Sequence, residues 1–164
     1  GGSLRYYAQR ADTGTRPVEQ RVHDLVDRER ALGYDTLEGH LAFTAQVEET
    51  KWSLLEFLIA KRREGKRIAG YGAPGKGNTL LNYCGIRTDL LRYTVDRNPY
   101  KHGRFTPGTR IPIHPPERIA ADRPDYVLVL PWNLRTELTV QLSYIADWGG
   151  RLVFPIPRLE VVSL

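Results

Sequence analysis

The sequence predicts an α/β fold with a parallel sheet, and three observations support this. Short apolar runs alternate with helical patterns from residue 67 onward. The run at residues 126–130 is Tyr-Val-Leu-Val-Leu, unbroken as in a parallel strand that is buried on both faces. A glycine-rich turn lies between the first of these strands and the helix that follows it.

The N-terminal part of the chain is predicted to be mainly helical. Residues 1–8 have the pattern of a short strand without a nearby partner. A helix is expected to begin at Pro17 and to end at Gly33, because Val and Leu recur at helical spacing and glycine commonly ends helices. A longer helix is expected to begin at residues 35–38, where Glu38 follows the candidate cap Asp35 by three residues, and to close at Gly65.

Five strands and three helices are predicted after residue 66. The strands are expected at 67–71, 92–95, 111–113, 126–130 and 152–154. The helices are expected at 77–83, 115–121 and 134–145. The strand at 111–113 contains a proline, so it is expected at an edge of the sheet. This order predicts a Rossmann-like parallel sheet flanked by helices, with a helical N-terminal segment.

Composition and charge narrow the possible functions. The 24 Lys and Arg exceed the 19 Asp and Glu by only five and form no basic run, so no nucleic-acid partner is expected. Cys84 is the only cysteine, which excludes an intrachain disulfide and favours a cytoplasmic protein. The apolar runs are too short to span a membrane. The histidines lack ligand spacing, so no metal is expected at His23, His40, His102 and His114.

The glycine-rich turn predicts a phosphate or nucleotide site. Gly70, Gly72 and Gly75 match G-x-G-x-x-G, and Asp96 ends the next strand, as in the dinucleotide fingerprint. The turn also approaches a P-loop, but a glycine stands where Ser or Thr would bind magnesium. A tight turn that binds nothing is the alternative. Lys76 favours an anion, because a lysine at a helix N-terminus opposes the helix dipole.

Three predicted strand ends carry the candidate binding residues. Ligands of open parallel sheets bind beyond the carboxyl ends of the strands. The candidates offer phosphate donors, an acid for a sugar hydroxyl, a ring for stacking and amides. They are Gly72, Ala73, Lys76, Gly77 and Asn78 after the first strand, Asp96, Lys101 and His102 after the second, and Trp132 and Asn133 after the fourth.

The same residues also have structural explanations, which the sequence leaves open. These are a turn of Asp96 with Asn98, loop polarity for Lys101 and His102, packing for Trp132 and a helix cap for Asn133. The residues form no nucleophile–base pattern, no paired carboxylates and no metal set. Their chemistry alone therefore predicts nucleotide binding and no reaction.

Several motifs resemble the C-terminal domain of S-adenosylmethionine-dependent sugar C-methyltransferases. They cover residues 70–85, 96–103, 106–109, 111–113 and 130–133. Residues 1–5 resemble the end of the family's middle domain. Pro74 and Gly75 depart from the small residues, often alanines, expected there, which affects the stiffness of the loop.

The resemblance implies a function for a longer parent enzyme. Such enzymes methylate C3 of a keto-deoxysugar carried by a nucleoside diphosphate, typically thymidine diphosphate, in antibiotic sugar biosynthesis. A base forms an enolate, which attacks the methyl sulfonium. The resemblance places zinc and S-adenosylmethionine, with the catalytic residues, in upstream domains that the chain lacks. The implied role of this chain is to bind the sugar nucleotide without catalysing methyl transfer.

The chain contains no methionine, so it is interpreted as a fragment. Residues 1–16 are interpreted as the remnant of an upstream methyltransferase domain and a linker, and residues 17–164 as the C-terminal domain. S-adenosylmethionine is not expected at the glycine-rich turn, because Ile68 and Ala69 precede it without an acid and Lys76 would face a positive sulfonium. Two alternatives remain, a stand-alone NAD- or coenzyme-A-binding module and a purely structural support domain.

Overall fold

The computed structural model describes residues 4–164, which fall into two compact units that meet in sequence at Val47 and Glu48. The first unit contains helix α1, Gln20–Ala31, and the start of helix α2, Leu37–Arg63. No residue of α1 is buried. The predicted domain boundary at residues 16 and 17 stays a prediction.

Three expectations for this unit are corrected. The predicted strand at 1–8 lies partly outside the described residues, and residues 4–8 are not in a strand, since no segment within residues 4–164 pairs with them. Helix α1 begins at Gln20 rather than Pro17. Thr36 rather than Asp35 caps α2, because its Oγ1 accepts the backbone N–H of Gly39 at 3.1 Å.

The second unit is built on a six-stranded sheet. The strands are β1 Ile68–Tyr71, β2 Thr94–Val95, β3 Ile113–His114, β4 Tyr126–Val129, β5 Arg151–Phe154 and β6 Glu160–Ser163. Their spatial order is β3-β2-β1-β4-β5-β6. All neighbouring pairs are parallel except β5 and β6. The predicted α/β, Rossmann-like fold is confirmed, and the strand order reverses between β1 and β4, where such sheets bind ligands.

Helices cover both faces of this sheet. The helices after β1 are α3 Gly75–Cys84, α4 Glu117–Asp122 and α5 Arg135–Gln141. Leu54 and Leu58 of α2 pack with α3 against one face, and Ile119, Leu138 and Ile145 pack against the other. These side chains are fully or almost fully buried, so both layers contribute hydrophobic stabilisation.

The structure corrects several predicted boundaries in this unit. Helix α3 begins at Gly75 instead of residue 77, so two glycines of the turn lie inside the helix. Strand β2 has only two residues, and α4 ends at Asp122. The helix predicted at 134–145 is divided into a 3-10 turn at Trp132–Leu134, α5 and a second 3-10 turn at Ser143–Trp148. Short 3-10 segments are common at helix ends, and the apolar spacing does not distinguish them from α-helix.

Strand β6 was missed, because the strand at Arg151–Phe154 was expected to be the last. Strand β6 lies antiparallel at the edge and three of its four residues are exposed, so no buried apolar run marks it. Strand β3 is Ile113–His114 rather than residues 111–113, so the proline at 112 comes just before it, but it does lie at the opposite edge of the sheet as predicted. Between residues 4 and 164, no helix is long and apolar enough to cross a membrane.

Candidate functional site

The glycine-rich turn brings the start of α3 close to the end of β4. Gly72 has a φ of +85°, and a Cβ atom there would lie 2.6 Å from Pro131 Cδ. A Cβ atom on Gly77 would lie 2.8 Å from Leu130 Cβ. Gly75, the third glycine of the fingerprint, has open space at its Cβ position. The close helix–strand packing that the fingerprint assigns to its third glycine therefore depends here on Gly77.

Lys76 links the two sides of the switch point. Its ammonium group donates a hydrogen bond to Asn133 Oδ1 and lies 4.8 Å from the centre of the Trp132 ring. Within residues 4–164, no carboxylate forms an ion pair with Lys76. The structure thus brings together three predicted site residues, with a positive charge that only a neutral amide and an aromatic face stabilise.

Asp96 ties the loop after β1 to the loop after β2. Its side chain is buried, with 9% of the residue exposed. Asp96 Oδ2 accepts the Ala73 N–H at 2.7 Å and the Lys101 ammonium at 2.9 Å, while Oδ1 accepts the Asn98 N–H at 2.8 Å. Lys101 also donates to the Ala73 carbonyl at 3.1 Å. The backbone position of Ala73 is therefore fixed by a charged pair.

Electrostatics keeps this carboxyl ionised. Burial by itself raises the pKa of Asp96, but hydrogen bonds from the Asn98 N–H, the Lys101 ammonium and the Ala73 N–H outweigh burial and lower that pKa below its usual value. Three donors occupy the carboxylate, which has room for about four. The predicted contact of Asp96 with a sugar hydroxyl stays a prediction, and one acceptor position remains for it.

Two further candidates carry polar atoms at this edge. His102 Nε2 lies 2.6 Å from the Asp96 carbonyl oxygen, and because a carbonyl only accepts, this nitrogen is the donor. Asn78 Oδ1 is buried, and no described residue donates a hydrogen bond to it. A buried acceptor without a donor is unfavourable and attracts a donor group from a ligand or from water.

The structural alternatives are partly realised. Asp96 does form the expected turn with Asn98. Trp132 packs against the buried apolar side chains on both faces of the sheet. Asn133 is not a helix cap, because it lies within the 3-10 turn and α5 begins after Leu134 without a side-chain cap. The amide instead accepts from Lys76, so the capping alternative is wrong.

Sequence reasoning missed two residues that shape the site. Thr94 is fully buried, and its hydroxyl donates to the Gly72 carbonyl at 2.8 Å. Pro131 packs where a side chain on Gly72 would stand. A threonine between the buried residues Tyr93 and Val95 was the available signal for Thr94, whereas the role of Pro131 depends on tertiary packing.

The site residues do not fit the groups implied for the parent enzyme. Among residues 4–164, no three His, Cys, Asp or Glu side chains are grouped so that they could hold a metal ion. The lysine at the turn carries the same charge as a sulfonium cofactor, and the nearest site carboxylate, Asp96, is paired with Lys101. The placement of zinc and S-adenosylmethionine elsewhere in a longer enzyme stays a prediction.

Comparison with known proteins identifies the family. Residues 1–157 match the family model described as the C-methyltransferase C-terminal domain. C-methyltransferase NovU from Streptomyces niveus is 35% identical over 165 residues, covering 99% of this chain and 39% of that protein. The solved structure of UDP-D-quinovosamine 4-dehydrogenase from Vibrio fischeri is 21% identical, with a TM-score of 0.44, over 60% of this chain and 94% of the other.

The chain therefore spans about 39% of the length of the curated relative that it matches. The family match covers the glycine-rich turn, the Asp96 loop and the Trp132 turn together. The resemblance seen in the sequence is confirmed, and the chain belongs to the family of C-methyltransferase C-terminal domains.

Proposed function

We propose that the chain is the sugar-nucleotide-binding part of a longer, cytoplasmic, S-adenosylmethionine-dependent C-methyltransferase. The longer enzyme methylates C3 of a thymidine-diphospho-keto-deoxysugar in antibiotic sugar biosynthesis. Family membership and the similarity to a C-methyltransferase support the reaction class. The catalytic base and the methyl donor belong to the upstream methyltransferase domain, and this chain alone is inactive.

The observation that carries this proposal is the position of Lys76. It lies in the first turn of α3, where backbone N–H groups lack acceptors within the helix and attract anions. Its charge has no carboxylate partner in the described part of the chain. A diphosphate at the switch point accepts from these N–H groups and from the ammonium, so the charges on both sides are neutralised.

The other site residues orient the rest of the ligand. Gly72 and Gly77 let backbone approach closely, and Asp96 and Lys101 hold the Ala73 loop. His102 donates to the Asp96 carbonyl and so supports the loop after β2. Trp132 offers a ring face to a base or sugar, and Asn133 offers an amide. The buried Asn78 Oδ1 accepts a donor from the ligand. Together they place the sugar for the chemistry that the upstream domain performs.

Calorimetric titration of thymidine diphosphate into this chain tests the proposal. Lys76→Ala removes a charge-assisted contact worth about 1.5–3 kcal/mol, so the dissociation constant rises about 10- to 150-fold. Lys51→Ala is the matched control, because Lys51 also lies over a ring, that of Tyr83 at 5.2 Å. In the full-length enzyme the same change raises KM more than it lowers kcat.

A structural support role is the second candidate, because Lys76 already has two neutral partners. That role predicts no saturable heat with thymidine diphosphate, NAD or coenzyme A. Binding of NAD or coenzyme A in preference to thymidine diphosphate supports a stand-alone dinucleotide or coenzyme module instead. If this chain alone catalyses methyl transfer, and substitutions within it abolish that activity, then the proposal that catalysis belongs to the upstream domain is contradicted.

A further inference from the structure

The glycine-rich turn and Asp96 are the parts with which a Rossmann-like fold binds a dinucleotide such as NAD. In that mode the pyrophosphate lies at the start of the helix after the first strand, and the acid that follows the second strand accepts a ribose hydroxyl. The ribose therefore lies between the turn and the acid. A dinucleotide site of this kind needs free space beside the turn and a free acceptor on the acid.

The space between Asp96 and the turn is already occupied by the Lys101 ammonium. Lys101 Nζ lies 2.9 Å from Asp96 Oδ2 and 3.1 Å from the Ala73 carbonyl oxygen, so it bridges the acid and the turn. Asp96 Oδ2 also accepts the Ala73 N–H at 2.7 Å, and these two donors fill both lone pairs of that oxygen. The acceptor position that remains is on Oδ1, which already accepts from Asn98 in the loop after β2.

The loop after β2 holds Lys101 in this position. A 3-10 turn ends at Lys101, and Asn98 Oδ1 caps it by accepting the Tyr100 N–H at 3.0 Å. On the other side of Lys101, His102 Nε2 donates to the Asp96 carbonyl oxygen at 2.6 Å. The ammonium is therefore preorganised on the carboxylate. A ribose hydroxyl that reached Asp96 Oδ2 would have to displace a hydrogen bond between two charged groups, which is one of the stronger kinds.

The first two glycines of the fingerprint are required by packing within the protein. A Cβ atom on Gly70 would lie 2.7 Å from Thr94 Oγ1, and one on Gly72 would lie 2.6 Å from Pro131 Cδ. In a dinucleotide site the second glycine lets the pyrophosphate approach the backbone, whereas here it gives room to a proline ring. Both glycines are explained without a ligand, so they give no independent support for a dinucleotide.

We propose that Lys101 is a specificity-determining residue that closes the dinucleotide mode of this fold. Its ammonium takes the place of a ribose hydroxyl on Asp96 Oδ2, between the acid and the turn. The chain therefore selects against NAD and against other ribonucleotides that place a 2′-hydroxyl on this acid. A 2′-deoxyribonucleotide has no such hydroxyl, so the exclusion is compatible with thymidine diphosphate at the switch point but does not rest on its binding.

Amide NMR of the chain, titrated with ADP and separately with 2′-deoxy-ADP, tests this inference, because the two probes differ only in the 2′-hydroxyl. In the parent the two dissociation constants are expected to be equal, since Lys101 keeps the hydroxyl away from Asp96. In Lys101→Ala the carboxylate can accept the hydroxyl, so ADP is expected to bind about tenfold or more tightly than 2′-deoxy-ADP. Adding Asp96→Asn to Lys101→Ala is expected to remove this preference.

Lys66→Ala is the matched control. The Lys66 ammonium also pairs with a carboxylate, that of Asp125 at 3.5 Å, and 44% of its side chain is exposed, compared with 36% for Lys101. Lys66 precedes β1, at the amino ends of the strands, so it does not contact the turn. The control removes the same charge, and any general effect of charge on the affinity for nucleotides appears in it without a preference for the 2′-hydroxyl.

Amide spectra show which variants keep the fold, and Lys101→Met, which retains an apolar stem, replaces Lys101→Ala if the alanine variant unfolds. A folded Lys101 variant without a preference for ADP overturns the inference, as does a preference for ADP in the parent. The parent alone gives a further test, because NAD that causes saturable shifts at the Ala73 and Lys101 amides overturns it whatever the variants do. Titration of the parent with thymidine diphosphate tests the proposed function separately, so the two failures are distinguishable.

Discussion

Two lysines at the carboxyl edge of the sheet have opposite environments. Lys101 pairs with the buried carboxylate of Asp96 at 2.9 Å and also donates to a carbonyl, so its charge is neutralised within the protein. Lys76 contacts an amide oxygen and a ring face, and neither carries a formal charge. The first lysine stabilises the loops, whereas the second keeps a net charge that an anionic ligand can neutralise.

The two lysines are therefore expected to have different effects, Lys101 on the stability of the fold and Lys76 on the affinity for a ligand. Changes at the Asp96–Lys101 pair are expected to lower the free energy of unfolding, because they leave charged or polar groups buried without partners. Changes at Lys76 and Asn133 are expected to alter ligand binding and to leave folding almost unchanged.

The largest effect is expected for Asp96→Ala. The change leaves the Lys101 ammonium, the Ala73 N–H and the Asn98 N–H without their acceptor. We expect a loss of about 2 kcal/mol in the free energy of unfolding, less than for a fully buried pair, because 36% of the Lys101 side chain is exposed and its ammonium can be hydrated. Urea denaturation followed by circular dichroism measures it.

Glu64→Ala is the matched control for that experiment. The Glu64 carboxylate forms an ion pair with Lys61 at 2.8 Å, close to the 2.9 Å of the Asp96–Lys101 pair, but 49% of the Glu64 side chain is exposed. Solvent screens such pairs, so the melting temperature is expected to stay unchanged. Equal losses in both variants contradict the view that burial makes the Asp96 pair structural.

Gly77→Ala is expected to have the next largest effect. The added Cβ atom would lie 2.8 Å from Leu130 Cβ, so α3 must shift away from β4. Overpacking of this kind costs about 1–3 kcal/mol, and the shift also moves Lys76 away from Trp132 and Asn133. Differential scanning calorimetry measures the stability, and nucleotide titration measures the affinity.

The control for this variant is Gly75→Ala, two residues earlier in the same helix. Its Cβ position has open space, and alanine favours a helix over glycine by about 1 kcal/mol. This variant is expected to be as stable as the parent or more stable. A destabilised Gly75→Ala variant contradicts the assignment of the packing role to Gly77.

The pH dependence of stability sharpens the contrast further. The pKa of Asp96 is lowered in the folded chain, so its ionised form is stabilised by folding. The contribution is complete above the unfolded pKa of about 3.9 and is lost as pH falls through the lower folded value. The stability difference between the parent and Asp96→Asn should therefore be constant from pH 7 to pH 5 and shrink below pH 4.

Other carboxyls with lowered pKa values, such as Asp125, are present in both proteins and cancel in this difference. Urea titrations at each pH give the two free energies. A stability difference that grows in acid means that the Asp96 carboxyl is not stabilised as an ion.

The sequence predicts the sheet well where a local apolar or glycine-rich pattern marks a buried strand or a turn. The run at 126–130 contains β4, Tyr126–Val129, and the glycines after β1 form the predicted turn, although α3 begins two residues earlier than expected. Strand β6 was missed because an exposed edge strand lacks an apolar run. The division of the helix at 134–145 was missed because both helix types keep the same apolar side buried.

The sequence alone does not predict which residues of the site contact one another. Asp96 lies 23 residues after Ala73, and Asn133 lies 57 residues after Lys76. Parallel-sheet topology predicts that these residues share one edge, but it does not decide which lysine meets the carboxylate. That choice depends on the close approach allowed by Gly72 and Gly77, which appears only in the packed structure.

The smallest effect on stability is expected for Asn133→Ala. Asn133 is exposed and caps no helix, so its loss should change the free energy of unfolding by less than about 0.5 kcal/mol, whereas loss of a helix cap costs about 0.5–2 kcal/mol. Trp132 fluorescence should change when thymidine diphosphate is added, because the ligand alters the contact of Lys76 with the ring. Asn133→Ala should reduce this change, and Trp132→Phe should abolish it, which shows that the signal arises from Trp132. A variant that melts earlier than the parent and binds thymidine diphosphate equally well assigns Asn133 to folding. The residues around Lys76 would then contribute to folding, as those around Lys101 do, and the two lysines would no longer differ in this way.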